Sequence, residues 1–377
     1  MSGAPTSHLF QSPLHQRHVE AGAKFAEFGG WTMPLEYAGS GVLAEHHAVR
    51  DSVGIFDVSH LGKASVAGAG VIDFLNRCLT NDLRKIVPGK AQYSMLCNDT
   101  GGVVDDLICY LVSDDEVLVI PNAANTSEVV DILDAAAPDG IEVTNLHHDF
   151  AVIAIQGPRS DEVLQAMVLP TGHDYMSFEF VERDTVDGPL PFTVCRTGYT
   201  GERGYELVVP SAIAGEVWDE AMAAGEQYGI RACGLAARDT LRTEMGYSLH
   251  GNDISPSINP VEAGLSWAVG WKKTQPFPGS EALRAIREAG PARRSRGLKA
   301  LGRGIPRPGM VVVDESGAPI GEVTSGTFSP TLKQGIGLAL VDASIEPGAQ
   351  VGVQVRNRVE QFEVVKPPFV EPGVREA

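Results

Sequence analysis

The chain has 377 residues, of which 21% are charged and 43% apolar, as is usual for a globular protein of about two to three domains. Its 48 acidic and 30 basic residues give a formal net charge of -18, so neither nucleic acid nor an anionic membrane is an expected partner. Five dispersed cysteines without a C-x-x-C pair, and the lack of an apolar run of transmembrane length, predict a cytoplasmic protein without a structural zinc site.

The N-terminal half predicts helices and strands without a regular alternation. We expect a weak helix over residues 18–28, an extended WTMPLEY, a helix over residues 41–51 and a strand in GIFDVSH. A helix in GAGVIDFLNRCL then precedes three strands, AQYSMLCN, VVDDLICYLV and EVLVIP.

The following segments predict an α+β fold with antiparallel sheets, because the chain lacks strict βαβ alternation. Helices are expected in SEVVDILDAAAP, DEVLQAMV, SAIAGEVWDEAMAAGEQYG and LAARDTLRTEMGY, with the strand AVIAIQG between the first two. Residues 1–280 then form one region, and residues 281–296 a linker whose arginines are solvated. Residues 297–377, with short strands and turns, predict a C-terminal β-barrel or jelly roll.

The segment CRTGYTGERGYELVVP carries three glycines at every third position, Gly198, Gly201 and Gly204. A phosphate-binding loop needs a helix directly after its glycines, but these glycines are followed by a strand pattern. The segment therefore predicts a tight corner that positions side chains such as Tyr199 and Glu206.

Two adjacent carboxylates, Asp105 and Asp106, interrupt an otherwise apolar strand. Neighbouring side chains on a strand point to opposite faces, so the pair is not expected to form a close carboxylate dyad. Two interpretations stay open: both residues lie at an exposed strand start, or one carboxylate enters an apolar pocket and has a raised pKa.

The other polar and aromatic candidates each have an ordinary structural interpretation. Glu206 fits the solvent face of a strand, and Arg238 fits a surface ion-pair network that it shares with Arg242. Arginine also suits planar recognition of a carboxylate or a heterocyclic edge. Four aromatic residues could be core or ligand contacts: Tyr93, Tyr199, Tyr247 and Trp267.

Nine motifs occur in register over nearly the whole chain: GWTMPLEY, VGIFDVSHLGK, LTNDL, GGVVDDL, QGP, RTGYTGERGYE, GLAARDTLR, NPVEAGLSW and GEVTSGTFSPTLKQGIGLALV. Together they closely resemble the T-protein family of the glycine cleavage system, the tetrahydrofolate-dependent aminomethyltransferases. The resemblance implies a three-lobed cloverleaf around a central folate channel, with the C-terminal barrel as one lobe.

The resemblance also implies the reaction and its partners. The aminomethyl group on the dihydrolipoyl arm of the H-protein would pass to tetrahydrofolate, giving 5,10-methylenetetrahydrofolate and ammonia. Tetrahydrofolate would be a co-substrate, with no metal, flavin or nicotinamide, and the P- and L-proteins would be functionally linked.

The family motifs assign roles to particular residues of this chain. Asp106 would be the catalytic carboxylate near N5 of the pterin. The folate-binding residues implied by the resemblance are Tyr93, Asn122, Tyr199, Glu206, Arg238, Tyr247, Trp267 and Arg375.

Two relatives of this family offer other functions. The folate domains of dimethylglycine and sarcosine oxidoreductases are fused to a flavin domain, for which this chain has no G-x-G-x-x-G motif followed by a helix. A non-enzymatic folate-binding module of the iron–sulfur assembly and tRNA modification type carries K-G-C-Y-x-G-Q-E. The corresponding stretch here, RTGYTGERGYE, has no cysteine, so this module is the alternative rather than the first interpretation.

Overall fold

A computed structural model describes residues 9–185, 188–356 and 358–374. Its helices are α1 (His15–Glu20), α2 (Gly41–Asp51), α3 (Val71–Cys78), α4 (Thr126–Ala136), α5 (Ser160–Ala166), α6 (Ala214–Gly225), α7 (Leu235–Met245) and α8 (Ser280–Ala289). Within these described ranges, no helix is both long and apolar enough to cross a membrane.

Three sheets precede residue 280. The first has the order β1-β3-β2, the second β11-β12-β13-β10-β4-β14 and the third β6-β7-β8-β5-β9. Their strands are β1 (Phe10–Gln11), β2 (Ala23–Phe28), β3 (Trp31–Tyr37), β4 (Gly54–Asp57), β5 (Ala64–Ala67), β6 (Lys90–Cys97), β7 (Val103–Ser113), β8 (Glu116–Ile120), β9 (Glu142–Asn145), β10 (Phe150–Gln156), β11 (Phe178–Thr185), β12 (Gly188–Cys195), β13 (Gly204–Pro210) and β14 (Arg231–Ala232).

A closed barrel follows, with the strand order β15-β18-β17-β16-β19-β20. Its strands are β15 (Arg293–Ala300), β16 (Val311–Val313), β17 (Pro319–Ser329), β18 (Gln334–Asp342), β19 (Gln350–Val355) and β20 (Arg358–Val365). The predicted α+β class with a C-terminal barrel is confirmed.

Two stretches differ from the local prediction. The weak helix expected over residues 18–28 is wrong beyond α1, because β2 folds back on β3 through Gly29 and Gly30, whose φ angles of 57° and 85° suit a two-residue hairpin turn. The stretch assigned to a linker, residues 281–296, contains most of α8 and the start of β15. Those first residues of β15 pair with β18, so barrel closure rather than local apolar periodicity makes them a strand.

Separate apolar clusters hold these parts together. The six-stranded sheet packs on α5 and α6 through residues such as Ile153 and Trp218, and the five-stranded sheet packs on α3 and α4 through residues such as Leu75. A further cluster that includes Phe56 and Tyr110 joins the two large sheets. Removing this apolar surface from water is the main favourable contribution to folding.

A buried carboxylate on α7 ties the barrel to the rest of the chain. Glu244 accepts hydrogen bonds from Arg50 Nη2 on α2 at 2.8 Å, from Ser329 Oγ on β17 at 2.5 Å and from Thr331 Oγ1 at 3.0 Å. Burial alone would raise the pKa of Glu244, but hydrogen bonds from His46 and Ser329 and the charge of Arg50 lower it to about 2. The ionised carboxylate therefore stabilises the docked barrel.

We predict that Glu244→Gln lowers the free energy of unfolding at pH 7 by about 2–3 kcal/mol, because it removes the buried carboxylate to which Arg50 and Ser329 donate, while Arg50 keeps its bond to Glu202. The free carboxyl titrates near pH 4.3 and the folded one near pH 2. The stabilisation that the ionised Glu244 provides is therefore fully present above about pH 4.5 and is lost as the pH falls through 2. Urea unfolding between pH 3 and pH 7 measures it.

The matched control is Glu36→Gln, which removes an exposed ion pair with Lys24 and should cost less than about 1 kcal/mol. This account of barrel docking would be contradicted if both variants lost the same free energy of unfolding. It would also be contradicted if the loss in Glu244→Gln did not change with pH.

Candidate functional site

One cavity of about 1030 Å³ lies where the two large sheets meet the barrel. Strands β6, β7 and β13, helix α7 and the barrel strands β15 and β18 all contribute lining residues. The volume lies at the upper end of the range of small-molecule sites, so the cavity can hold a ligand with several rings.

Every candidate residue from the sequence that the structure describes lines this cavity. These residues are Tyr93, Asp106, Asn122, Tyr199, Glu206, Arg238, Tyr247 and Trp267. Arg375, the remaining candidate, lies outside the described residues.

The Asp106 side chain faces the cavity from β7. Tyr93 Oη donates a hydrogen bond to Asp106 Oδ2 at 3.0 Å, and Asn122 Nδ2 donates to Asp106 Oδ1 at 2.7 Å. Burial raises the pKa of Asp106, although the hydrogen bond from Tyr93 offsets part of the rise. This carboxyl group can therefore exchange a proton closer to neutral pH than an exposed aspartate can.

Asp105 points away from the cavity and is fully buried. Its carboxylate accepts from the Asn122 backbone N–H at 2.9 Å, from Asn122 Nδ2 at 2.9 Å and from Asn125 Nδ2 at 2.7 Å. Burial and the neighbouring charge of Asp106 raise the pKa of Asp105 to about 8. The two carboxylates thus face opposite sides, as expected for a strand, but share the Asn122 amide as a donor.

The interpretation of both aspartates as an exposed strand start is wrong. The loop after α7 covers this end of β7 so closely that a Cβ on Gly102 would lie 1.9 Å from the Pro256 carbonyl oxygen. Because the covering loop is distant in sequence, the local pattern of GGVVDDL does not reveal the burial.

Two stacked aromatic pairs form flat surfaces in the cavity. The Tyr93 and Trp267 rings lie 5.4 Å apart at 30°, and the Tyr199 and Tyr247 rings lie 5.7 Å apart at 28°. Trp267 is 64% exposed and lies at the rim. Such faces suit stacking with a planar heterocycle.

The glycine-rich corner between β12 and β13 is shaped by the buried Gln156. A Cβ on Gly198 or on Gly204 would lie 2.1 Å or 2.5 Å from the Gln156 amide, so a side chain at either position would displace this amide from its hydrogen bond with Thr200. The predicted strand, corner and strand are confirmed, and the corner brings Tyr199 and Glu206 to the cavity.

Glu206 is half-buried and lines the cavity rather than facing solvent. Thr197 Oγ1 donates to Glu206 Oε2 at 2.6 Å, and the Thr197 hydroxyl also contacts Tyr110 Oη at 3.0 Å. This arrangement holds the carboxylate in place and leaves it as an acceptor on the cavity wall.

Arg238 on α7 has an unusual environment for a cation. Its guanidinium lies 4.8 Å from the centre of the Tyr199 ring, and the enclosed Nη1 atom has no hydrogen-bond partner among the described residues. Burial lowers the pKa of Arg238, while the negative charge of Glu206 opposes that change. An ion-pair network does form at Arg242, which bonds Asp239 and Asp253, but Arg242 and Asp253 are buried rather than on the surface.

One charged side of the cavity was not predicted from the sequence. Arg294 and Arg296, assigned to a solvated linker, line the cavity from β15 together with Lys366 after β20, and Arg296 is paired with Glu346, which lines the same side. The alternate-residue spacing of Arg294, Arg296 and the buried Leu298 is the strand signal that could have indicated a shared face.

The site combines a buried carboxylate pair with aromatic faces and a poorly paired arginine, an arrangement that suits a planar, polar ligand and proton transfer beside it. Two family models match the chain: the GCVT N-terminal domain over residues 14–273 and the glycine cleavage T-protein C-terminal barrel domain over residues 293–371. The chain belongs to the glycine cleavage T-protein family and is an aminomethyltransferase.

Similar proteins cover nearly all of the chain. An aminomethyltransferase of Parafrankia sp. is 59% identical over 97% of this chain and 99% of its own length, and that of Mycobacterium tuberculosis H37Rv is 55% identical over 100% of both. The crystal structure of the glycine cleavage system aminomethyltransferase T from Bartonella henselae matches with a TM-score of 0.90 and 35% identity. The match covers 97% of this chain and 99% of the Bartonella henselae chain.

These findings confirm the resemblance and do not support the alternative of a non-enzymatic folate-binding module. Members of this family use tetrahydrofolate as a substrate and function in the glycine cleavage system with its H-protein.

We predict that Arg238→Met weakens tetrahydrofolate binding by about tenfold or more, because the unpaired Nη1 donor is lost from the cavity. Without folate, the free energy of unfolding should rise by about 1 kcal/mol, since an unsatisfied buried group is removed. Calorimetric titration with tetrahydrofolate and urea unfolding measure the two effects.

Arg242→Met is the matched control on the same helix. It should lower the free energy of unfolding by about 3 kcal/mol, because the buried Asp253 loses its cationic partner and keeps only neutral donors such as Ser325. Strong destabilisation by Arg238→Met, or unchanged folate affinity, would show that Arg238 has a structural role only.

Proposed function

We propose that this aminomethyltransferase transfers the aminomethyl carbon from the dihydrolipoyl arm of the H-protein to tetrahydrofolate, with Asp106 as the catalytic carboxylate. The products are 5,10-methylenetetrahydrofolate, ammonia and the reduced lipoyl arm. The observation that carries the proposal is the Asp106 carboxylate, which is held by Tyr93 and Asn122 on the wall of the large cavity.

The residues around the cavity suit the chemistry of a folate. Stacked rings such as Tyr199 and Tyr247 provide faces for the flat pterin, and Glu206 can accept hydrogen bonds from pterin N–H groups. Arg238 supplies an unused donor. On the charged side of the cavity, Arg294 and Lys366 suit the anionic glutamate of the substrate, and we also assign Arg375 to folate binding.

The reaction requires orientation and proton transfer. Loss of ammonia from the aminomethyl thioether leaves an electrophilic carbon, which N5 and then N10 of tetrahydrofolate attack as the thiolate leaves. The two folate nitrogens release two protons, which the ammonia and the thiolate take up. Asp106 accepts the proton from N5 and passes it on, and its raised pKa suits this role at neutral pH.

Holding both substrates in one enclosed cavity lowers the barrier by orientation, which contributes a large share of the rate enhancement in two-substrate reactions. We also propose a cytoplasmic location and a functional link to the P- and L-proteins. In support, all five cysteines are free and buried, as expected in a reducing compartment.

We predict that Asp106→Asn keeps the dissociation constant for tetrahydrofolate within about threefold and lowers kcat by about 100-fold or more, because the proton acceptor is lost and the shape is kept. Turnover is measured as ammonia release from aminomethyl-loaded H-protein.

The matched comparison is Glu206→Gln, which should weaken folate binding more than it lowers kcat. Full turnover by Asp106→Asn would remove Asp106 from the mechanism.

A further inference from the structure

A chain of hydrogen bonds leads from Asp106 to a histidine that does not line the cavity. Asn122 Nδ2 donates to both Asp106 and Asp105, and Asn125 Nδ2 lies 2.7 Å from Asp105 Oδ1 and 2.9 Å from His250 Nδ1. We call these five residues the Asp105 chain. It links the loop after β8, where Asn122 and Asn125 lie, to the loop after α7, where His250 lies.

The proton positions in the Asp105 chain follow from its ends. His250 Nε2 lies 3.1 Å from the Val103 carbonyl oxygen, which can only accept, so Nε2 carries the proton. Asn125 Nδ2 faces both Asp105 Oδ1 and His250 Nδ1, and the opposite amide orientation would need a donor proton on both of these groups. His250 Nδ1 is therefore the acceptor for the second Asn125 N–H, which requires a neutral imidazole.

The neutral imidazole fixes the Asn125 amide, and through it the Asp105 carboxylate. Asp105 accepts hydrogen bonds from the Asn122 backbone N–H and from the side-chain amides of Asn122 and Asn125, which together hold both carboxyl oxygens. With Asp105 fixed, the Asn122 amide is also fixed and can direct an N–H group at Asp106 Oδ1. His250 can thus orient Asp106 without touching any ligand in the cavity.

We propose that His250 is a positioning residue for aminomethyl transfer, acting through Asn125, Asp105 and Asn122 to hold the Asp106 carboxylate toward the cavity. The inference rests on the proposed role of Asp106. It predicts that the acceptor at Nδ1, and not the donor at Nε2, is the part of His250 that turnover needs.

Two substitutions at His250 distinguish the role of the Nδ1 acceptor from that of the Nε2 donor. His250→Asn places an amide oxygen near the position of Nδ1 and keeps the acceptor for Asn125, but it loses the donor to Val103. His250→Gln can still reach the Val103 carbonyl from the position of Nε2 but offers no acceptor to Asn125. Both variants lose the imidazole ring, so they are matched for lost packing.

We expect His250→Gln to lower kcat about tenfold, while KM for tetrahydrofolate stays within twofold, and His250→Asn to keep kcat within about twofold of the unmodified enzyme. In an Asp106→Asn background, His250→Gln should cause no further loss, because it acts through Asp106. The proposal would be overturned if His250→Asn lowered kcat as much as, or more than, His250→Gln. It would also be overturned if the losses of kcat in the double variant were additive.

Nitrogen-15 NMR of the His250 imidazole tests the Asp105 chain without turnover. A neutral ring with its proton on Nε2 is expected at pH 7, and a proton on Nδ1 would overturn the chain. If NMR finds the proton on Nε2 but Asp106→Asn is fully active, the hydrogen-bond chain is correct and the proposed catalytic role of Asp106 is wrong.

Discussion

The burial of two neighbouring carboxylates at the start of β7 is the constraint on which the rest of the site depends. A carboxylate removed from water is costly unless hydrogen-bond donors replace the water. Asn122, Asn125 and Tyr93 supply those donors to Asp105 and Asp106. The site therefore needs β6, β7 and the loop after β8 in fixed relative positions, which the β-sheet ladder provides.

The covering parts of the cavity come from distant segments that must dock correctly. The loop after α7 closes over Gly102 and brings Tyr247 and Trp267 to the cavity, and α7 itself carries Arg238. The same helix bears Glu244, whose hydrogen bonds join it to the barrel. Docking of the barrel and assembly of the cavity are thus linked through one helix, so loss of the Glu244 contacts would also disturb the ligand site.

Local periodicity in the sequence predicted most of the helices and strands, together with the corner that presents Tyr199 and Glu206. It failed where pairing with a distant strand decides the structure, as at Arg294 and Arg296, whose strand forms only when the barrel closes. The candidate residues came from resemblance to the family. The Asp105 chain could not be predicted, because the contact between Asn125 and His250 joins residues that are far apart in sequence.

The central claim is that one cavity brings a lipoyl-bound aminomethyl group to tetrahydrofolate beside Asp106. The most direct test is to measure ammonia and 5,10-methylenetetrahydrofolate from aminomethyl-loaded H-protein, with and without tetrahydrofolate. The account predicts rapid, equimolar formation of both products that depends on tetrahydrofolate and on the carrier. Tight folate binding without carrier-dependent formation of either product would contradict it.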